Sequence, residues 1–130
     1  MSKHDLWNPQ YRNAIFPTVV AEGLFCKLGT NEKELVVVDD AADTVIGPVR
    51  LAASAAGREG EIFEEGGDAY GTSGAAITKG AELVVDADGK IQARAAAAGT
   101  YTCVGIALEA ASAADQTTRF RFTKFTRVVS

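Results

Sequence analysis

Apolar and polar positions alternate over short distances along this chain, and glycine or aspartate breaks each run. Glu82 to Asp86, Lys90 to Arg94, Tyr101 to Glu109 and Thr117 to Phe125 each read as a strand. Their spacing is mostly the 8–12 residues usual in all-β domains. Arg119-Phe120-Arg121-Phe122 has a strict period of two, which puts both phenylalanines on one face and both arginines on the other. Phe125 has the opposite parity, so either a bulge intervenes near Thr123 or the strand ends there.

The first half is less regular. Thr18 to Leu28, Glu34 to Val38 and Val45 to Ala53 are apolar enough for strands, with Gly47-Pro48 marking a break or bulge in the last. Residues 57–74 are glycine-rich and acidic, and predict a long loop with at most one short strand at Ile62-Phe63. Alanine favours helix, so Ala93 to Ala98 and Ala110 to Ala114 each predict a helical turn too short to stand alone.

Residues 1–17 differ from the rest. Trp7, Tyr11, Ile15 and Phe16 are interrupted by Pro9 and Pro17. The prolines oppose a helix or a central strand, and the aromatic residues oppose a free tail. An extended N-terminal arm satisfies both, lying on a neighbouring subunit or folded back over its own core. The fold class expected is therefore all-β: a small antiparallel β-barrel or β-sandwich over residues 18–130, preceded by an arm over residues 1–17.

The chain has 130 residues, enough for a single domain. Its apolar residues are rich in alanine and valine, which gives a thin core and favours burial against a partner. The formal net charge of −4 argues against nucleic acid as a partner. No apolar run is long enough to cross a membrane as a helix. The opening MSKHDLWNPQYRN lacks the apolar stretch of a secretory leader, so no signal peptide is expected. Charge is segregated: Glu59, Glu61, Glu64, Glu65 and Asp68 crowd one stretch, and Arg119, Arg121, Lys124 and Arg127 crowd the last. That suits oriented docking, although two solvated faces would look the same.

The chemical motifs fail one by one. In Asp86-Ala87-Asp88-Gly89-Lys90 the glycine falls fourth and the twelfth position is Ala97, which does not fit an EF-hand. Asp88-Gly89 between apolar runs reads as a hairpin turn, so no metal is expected. Gly71-Thr72-Ser73-Gly74 lacks nucleophile-elbow spacing, and the only histidine is His4, in the N-terminal arm. Cys26 and Cys103 lie in apolar surroundings and read as buried thiols. The Glu59–Glu65 cluster has little apolar sequence around it to raise a carboxyl pKa, so it reads as a solvated loop. Neither an enzyme nor a cofactor is expected. The competing class is a small-molecule or carbohydrate-binding β-barrel module, opposed by the scarcity of aromatic residues.

Thr78-Lys79-Gly80-Ala81-Glu82-Leu83-Val84-Val85, then Asp86-Ala87-Asp88-Gly89-Lys90-Ile91, then Val104-Gly105-Ile106-Ala107-Leu108-Glu109, closed by Arg119-Phe120-Arg121-Phe122, forms a series of short strands. With Val49 to Ala53 upstream, this series resembles the head-decoration or capsid-cement proteins of tailed bacteriophages over roughly residues 45 to 125. The resemblance implies synthesis in the host cytoplasm and a structural role on the outer surface of the virion, with the major capsid protein as partner. It also implies self-association about a local symmetry axis, a trimer being favoured over a dimer. The residues expected at the interface are Trp7, Tyr11 and Phe16 of the arm and Arg119, Arg121 and Arg127 of the basic strand.

Overall fold

The computed structural model describes residues 10–130. Among them there is no helix, and the strands divide by order in the chain. The first sheet takes β1 (Tyr11–Phe16), β2 (Phe25–Leu28), β3 (Leu35–Val37), β4 (Gly47–Leu51) and β5 (Arg58–Phe63), in the order β1-β5-β4-β2-β3. The second takes β6 (Asp68–Thr72), β7 (Glu82–Val85), β8 (Ile91–Ala93), β9 (Gly99–Ala107) and β10 (Thr117–Val129), in the order β6-β10-β9-β7-β8. All ladders are antiparallel.

Both sheets curl toward closure. The Ile15 amide donates to the Lys33 carbonyl at 2.9 Å, and Ile15 bridges Glu34 beside β3. In the second sheet Ser73, just beyond β6, bridges Ile91 of β8, and the Gly74 amide donates to the Ile91 carbonyl at 2.7 Å. Curling removes much of the open edge that a flat five-stranded sheet would expose.

Two apolar clusters result. Ala14, Phe16, Val20, Cys26, Leu35, Val49, Ala53 and Ile62 fill the curl of the first sheet. A larger cluster lies on the second sheet and includes Phe25 and Phe63 from the first. Adjacent residues of one strand thus serve different cores: Phe25 and Cys26 in β2, Ile62 and Phe63 in β5. Phe25, Phe120 and Phe122 meet with ring centroids 5.6–6.0 Å apart.

The second half follows the sequence reading closely. Phe120 and Phe122 are fully buried while Arg119 and Arg121 point away from the core. A bulge falls between Phe122 and Phe125, and β10 continues past it to Val129.

Four expectations need correction. First, residues 11–16 of the supposed arm are a strand of the protein's own first sheet, paired with β5 from Tyr11 opposite Phe63 to Phe16 opposite Arg58. Pro17 directly follows this edge strand, a position that proline permits, and Pro9 lies outside the described residues. Second, the stretch 57–74 holds two strands. Most of β6 is buried, including Asp68, whose carboxylate accepts from Arg121 at 2.7 Å. A strand covered on both faces shows no alternation, and its glycines imitate a loop. Third, most of Thr18 to Leu24 is irregular with a turn at Glu22-Gly23, and only Phe25–Leu28 is strand. Fourth, the alanine runs are not helical: Ala93 ends β8, Ala111 bridges Ile77, and the rest is bend, turn or irregular, because short runs have no helix nucleus to build on.

Candidate functional site

The sequence Asp86 to Lys90 is a tight hairpin turn. Asp86 Oδ1 accepts from the amides of Asp88 at 2.9 Å and Lys90 at 3.0 Å. Gly89 has φ +80°, which glycine adopts freely. Its carbonyl accepts from the Phe25 amide at 2.8 Å, and a Cβ there would sit 3.0 Å from the Phe25 oxygen. The turn is therefore a joint between the two sheets.

The other chemical candidates are structural as well. Ser73 is buried; its hydroxyl donates to the Ala113 carbonyl at 2.7 Å and accepts from the Gln116 amide at 3.0 Å. Cys26 and Cys103 are buried free thiols on different sheets. Burial pushes the Cys26 thiol up to about 12, and burial with the nearby Glu82 charge raises that of Cys103. Neither supplies thiolate at neutral pH.

The acidic stretch is largely taken up by internal contacts. Glu61 pairs with Arg50, Glu64 lies 3.5 Å from Arg12, and Glu65 accepts from the Lys124 amide at 2.6 Å. The basic strand is paired in the same way. Arg121 is bound to Asp68. Arg127 grips Glu82 through two nitrogens, at 2.6 and 3.0 Å, and Arg94 reaches the same carboxylate at 2.8 Å. These two arginines hold the Glu82 carboxyl below its usual range. The sequence gives no sign of Glu82 as a hub, because its partners come from β10 and from beside β8.

The expected interface residues separate. Trp7 lies outside the described residues. Tyr11 is 49% exposed at the start of β1, with the Arg50 guanidinium 4.1 Å from its ring centre. Phe16 is 0% exposed in the core of its own first sheet, so it is not a surface anchor. Its inward parity with Ala14 is the physical reason. Arg119 is partly buried, and Arg121 and Arg127 are on the surface. Two open grooves flank these elements. One, of 490 Å³, runs between residues 41–45 and the β7–β9 side, with Val84, Tyr101, Thr102 and Lys124 on its walls. The other, of 480 Å³, lies between β1 and the β2–β3 hairpin.

Side chains that mostly tie one strand to another, around two curled antiparallel sheets, define a structural module. The chain belongs to the phage cement protein family, which matches residues 19–122. Among solved structures it is similar to the head fiber gp8.5 N base in bacteriophage phi29, at a TM-score of 0.60 and 15% identity. That match covers 88% of this chain and 94% of the other, and shows a shared fold. No curated protein matches the chain. Family membership gives it a structural role in the phage capsid.

Proposed function

We propose that this protein docks on the outer surface of a phage head and cements neighbouring major capsid protein subunits. The observation that supports this reading is membership of the cement family across most of the chain. The docking face centres on the exposed Tyr11 and on Trp7 of the preceding segment, since aromatic residues supply the contact area that interfaces use. Arg119, Arg121 and Arg127 form a secondary contact. Capsid carboxylates compete there with Asp68 for Arg121 and with Glu82 for Arg127. Copies associate about a local three-fold axis as trimers.

Pelleting purified shells with the protein tests the reading. The full chain is expected to co-sediment with the heads and to melt at a higher temperature when bound, since binding stabilises by mass action. Deleting residues 1–9 is expected to weaken binding by roughly 30-fold, the loss of one aromatic anchor worth about 2 kcal/mol. Substituting Arg119→Ala with Arg121→Ala is expected to flatten the salt dependence of binding. A full chain that stays in the supernatant, with an unchanged melting temperature, overturns the proposal.

A further inference from the structure

Strand β4 carries a bulge at Arg50. Val49 lies opposite Ile62 and Leu51 lies opposite Glu61, so Arg50 is an extra residue on the β4 side. Such a residue bends its strand and re-aims a side chain. Here the re-aimed side chain crosses β5. Its guanidinium pairs with the Glu61 carboxylate and rests 4.1 Å from the centre of the Tyr11 ring on β1. β4 and β1 flank β5. Two strand spacings make about 10 Å, which the arginine and tyrosine side chains bridge together. The ion pair is largely covered, with 14% and 22% of its two side chains accessible, whereas Tyr11 and Leu51 are 49% and 46% exposed. Asn13 and Leu51 lie opposite Glu61 on its two sides, so the three share the face turned away from the cluster that holds Ile62.

We infer that Arg50 is a positioning residue for Tyr11, and that Tyr11, Asn13 and Leu51 form a neutral patch for an apolar, uncharged segment of a capsid subunit. The inference rests on the docking reading proposed above and adds to it the residues that shape the contact and the chemistry of the partner. A flat guanidinium against one face of the ring holds it by cation–π attraction and leaves the other face and the edge to the partner. Glu61 fixes the guanidinium in turn, so the ring is ordered before the partner arrives, which lowers the entropic cost of binding. Charge balance selects the partner. Arg50 and Glu61 cancel, and Arg12 and Glu64 on the same two strands as Tyr11 and Glu61 lie 3.5 Å apart. The rim turns acidic at Glu59, two residues from Glu61 along β5. Exposed tyrosine and leucine around a cancelled charge pair match the centre of a protein interface, where charge is depleted and aromatic residues are enriched. This distinguishes the patch from Arg119, Arg121 and Arg127, whose contact weakens with salt.

Pelleting with purified shells at about 0.1 M and about 1 M salt tests the patch, since the screening length falls from about 10 Å to about 3 Å between them. Tyr11→Ala is expected to weaken binding about tenfold at both concentrations. Arg50→Lys keeps the charge and the partner Glu61 but loses the flat stacking surface. It is expected to weaken binding about threefold at both concentrations, with the melting temperature unchanged. Combined with Tyr11→Ala it is expected to add nothing, because Arg50 acts through the ring. A general loss of folding would show in both backgrounds. Leu51→Lys puts a charge into the neutral patch and is expected to weaken binding as much as Tyr11→Ala does. An additive loss from Arg50→Lys, or none at all, overturns the positioning role. Losses that vanish at the higher salt, full-chain binding confined to the lower salt, or normal binding by Leu51→Lys overturn the neutral patch. In each of these cases the full chain still pellets with shells, so the docking reading stands. A full chain that stays in the supernatant at both concentrations removes that reading and this inference with it.

Discussion

The two sheets have the same number of strands but very different aromatic content. The cluster inside the first sheet has one aromatic residue, Phe16, among alanine, valine, cysteine and single leucine and isoleucine side chains. The cluster on the second holds Phe25, Phe63, Tyr70, Phe120 and Phe122. Two of these come from strands of the first sheet, which therefore gives part of its own apolar surface to the joint. Aromatic side chains carry the most buried area per residue. The second sheet and the joint thus form the stable centre, and the curl of the first sheet depends on it.

The largest test is truncation of one aromatic residue in each cluster. Phe122→Ala is expected to lower global stability by about 3–5 kcal/mol in denaturant titration. Phe16→Ala is expected to fall at the lower end of that range, with amide exchange accelerated in β1 and β5 and little changed in β9. Equal loss of protection across both sheets shows a single cooperative unit and removes the distinction.

Next comes the close approach at the joint. A Cβ on Gly47 would lie 2.1 Å from the Phe63 oxygen and 3.3 Å from the Phe122 ring. Gly47→Ala is expected to cost about 1–3 kcal/mol and to shift the whole transition. An unchanged midpoint shows that β4 and β5 can part there without penalty.

A smaller effect is expected at the thiols, which report on each sheet separately. Both are expected to be inert to Ellman's reagent in the folded protein, through burial and raised pKa. In mild denaturant Cys26 is expected to label faster than Cys103, because the first sheet opens first. Matching rates contradict that order.

The smallest effect concerns Glu82. Its carboxyl is depressed by Arg127 first and Arg94 second. Its stabilisation is therefore present above the ordinary carboxylate pKa and is lost as pH falls through the lowered folded value. Glu82→Gln is expected to flatten the acid limb of the stability curve slightly, with little effect on Cys26 labelling. A change confined to the first sheet contradicts the separation of the two regions.

This contrast also governs what was readable beforehand. β7 and the first half of β10 alternate because one face is covered and the other wet, so period two survives in the sequence. In β6 both faces are covered, as they are at Ile62-Phe63 at the end of β5, and alternation disappears there. Gly60 admits the Phe16 ring, a Cβ there falling 2.8 Å from it, and a Cβ on Gly71 would fall 3.0 Å from the Ile91 side chain. Those glycines look like loop residues until the neighbours they accommodate are known. Phe16 was misplaced for a related reason: between prolines an aromatic residue reads as an exposed anchor, and only the pairing with β5 turns it inward.

By itself the sequence determined the β class, the Asp88-Gly89 turn, the inward phenylalanines of β10 and the family resemblance. Each of these rests on local period or on residues that are neighbours in the chain. Only the tertiary structure decided that β1 closes the first sheet, that Glu82 holds two arginines, and that β10 outruns β6. Such features join positions dozens of residues apart. No local pattern encodes them, because they depend on how far each strand extends beside its partner.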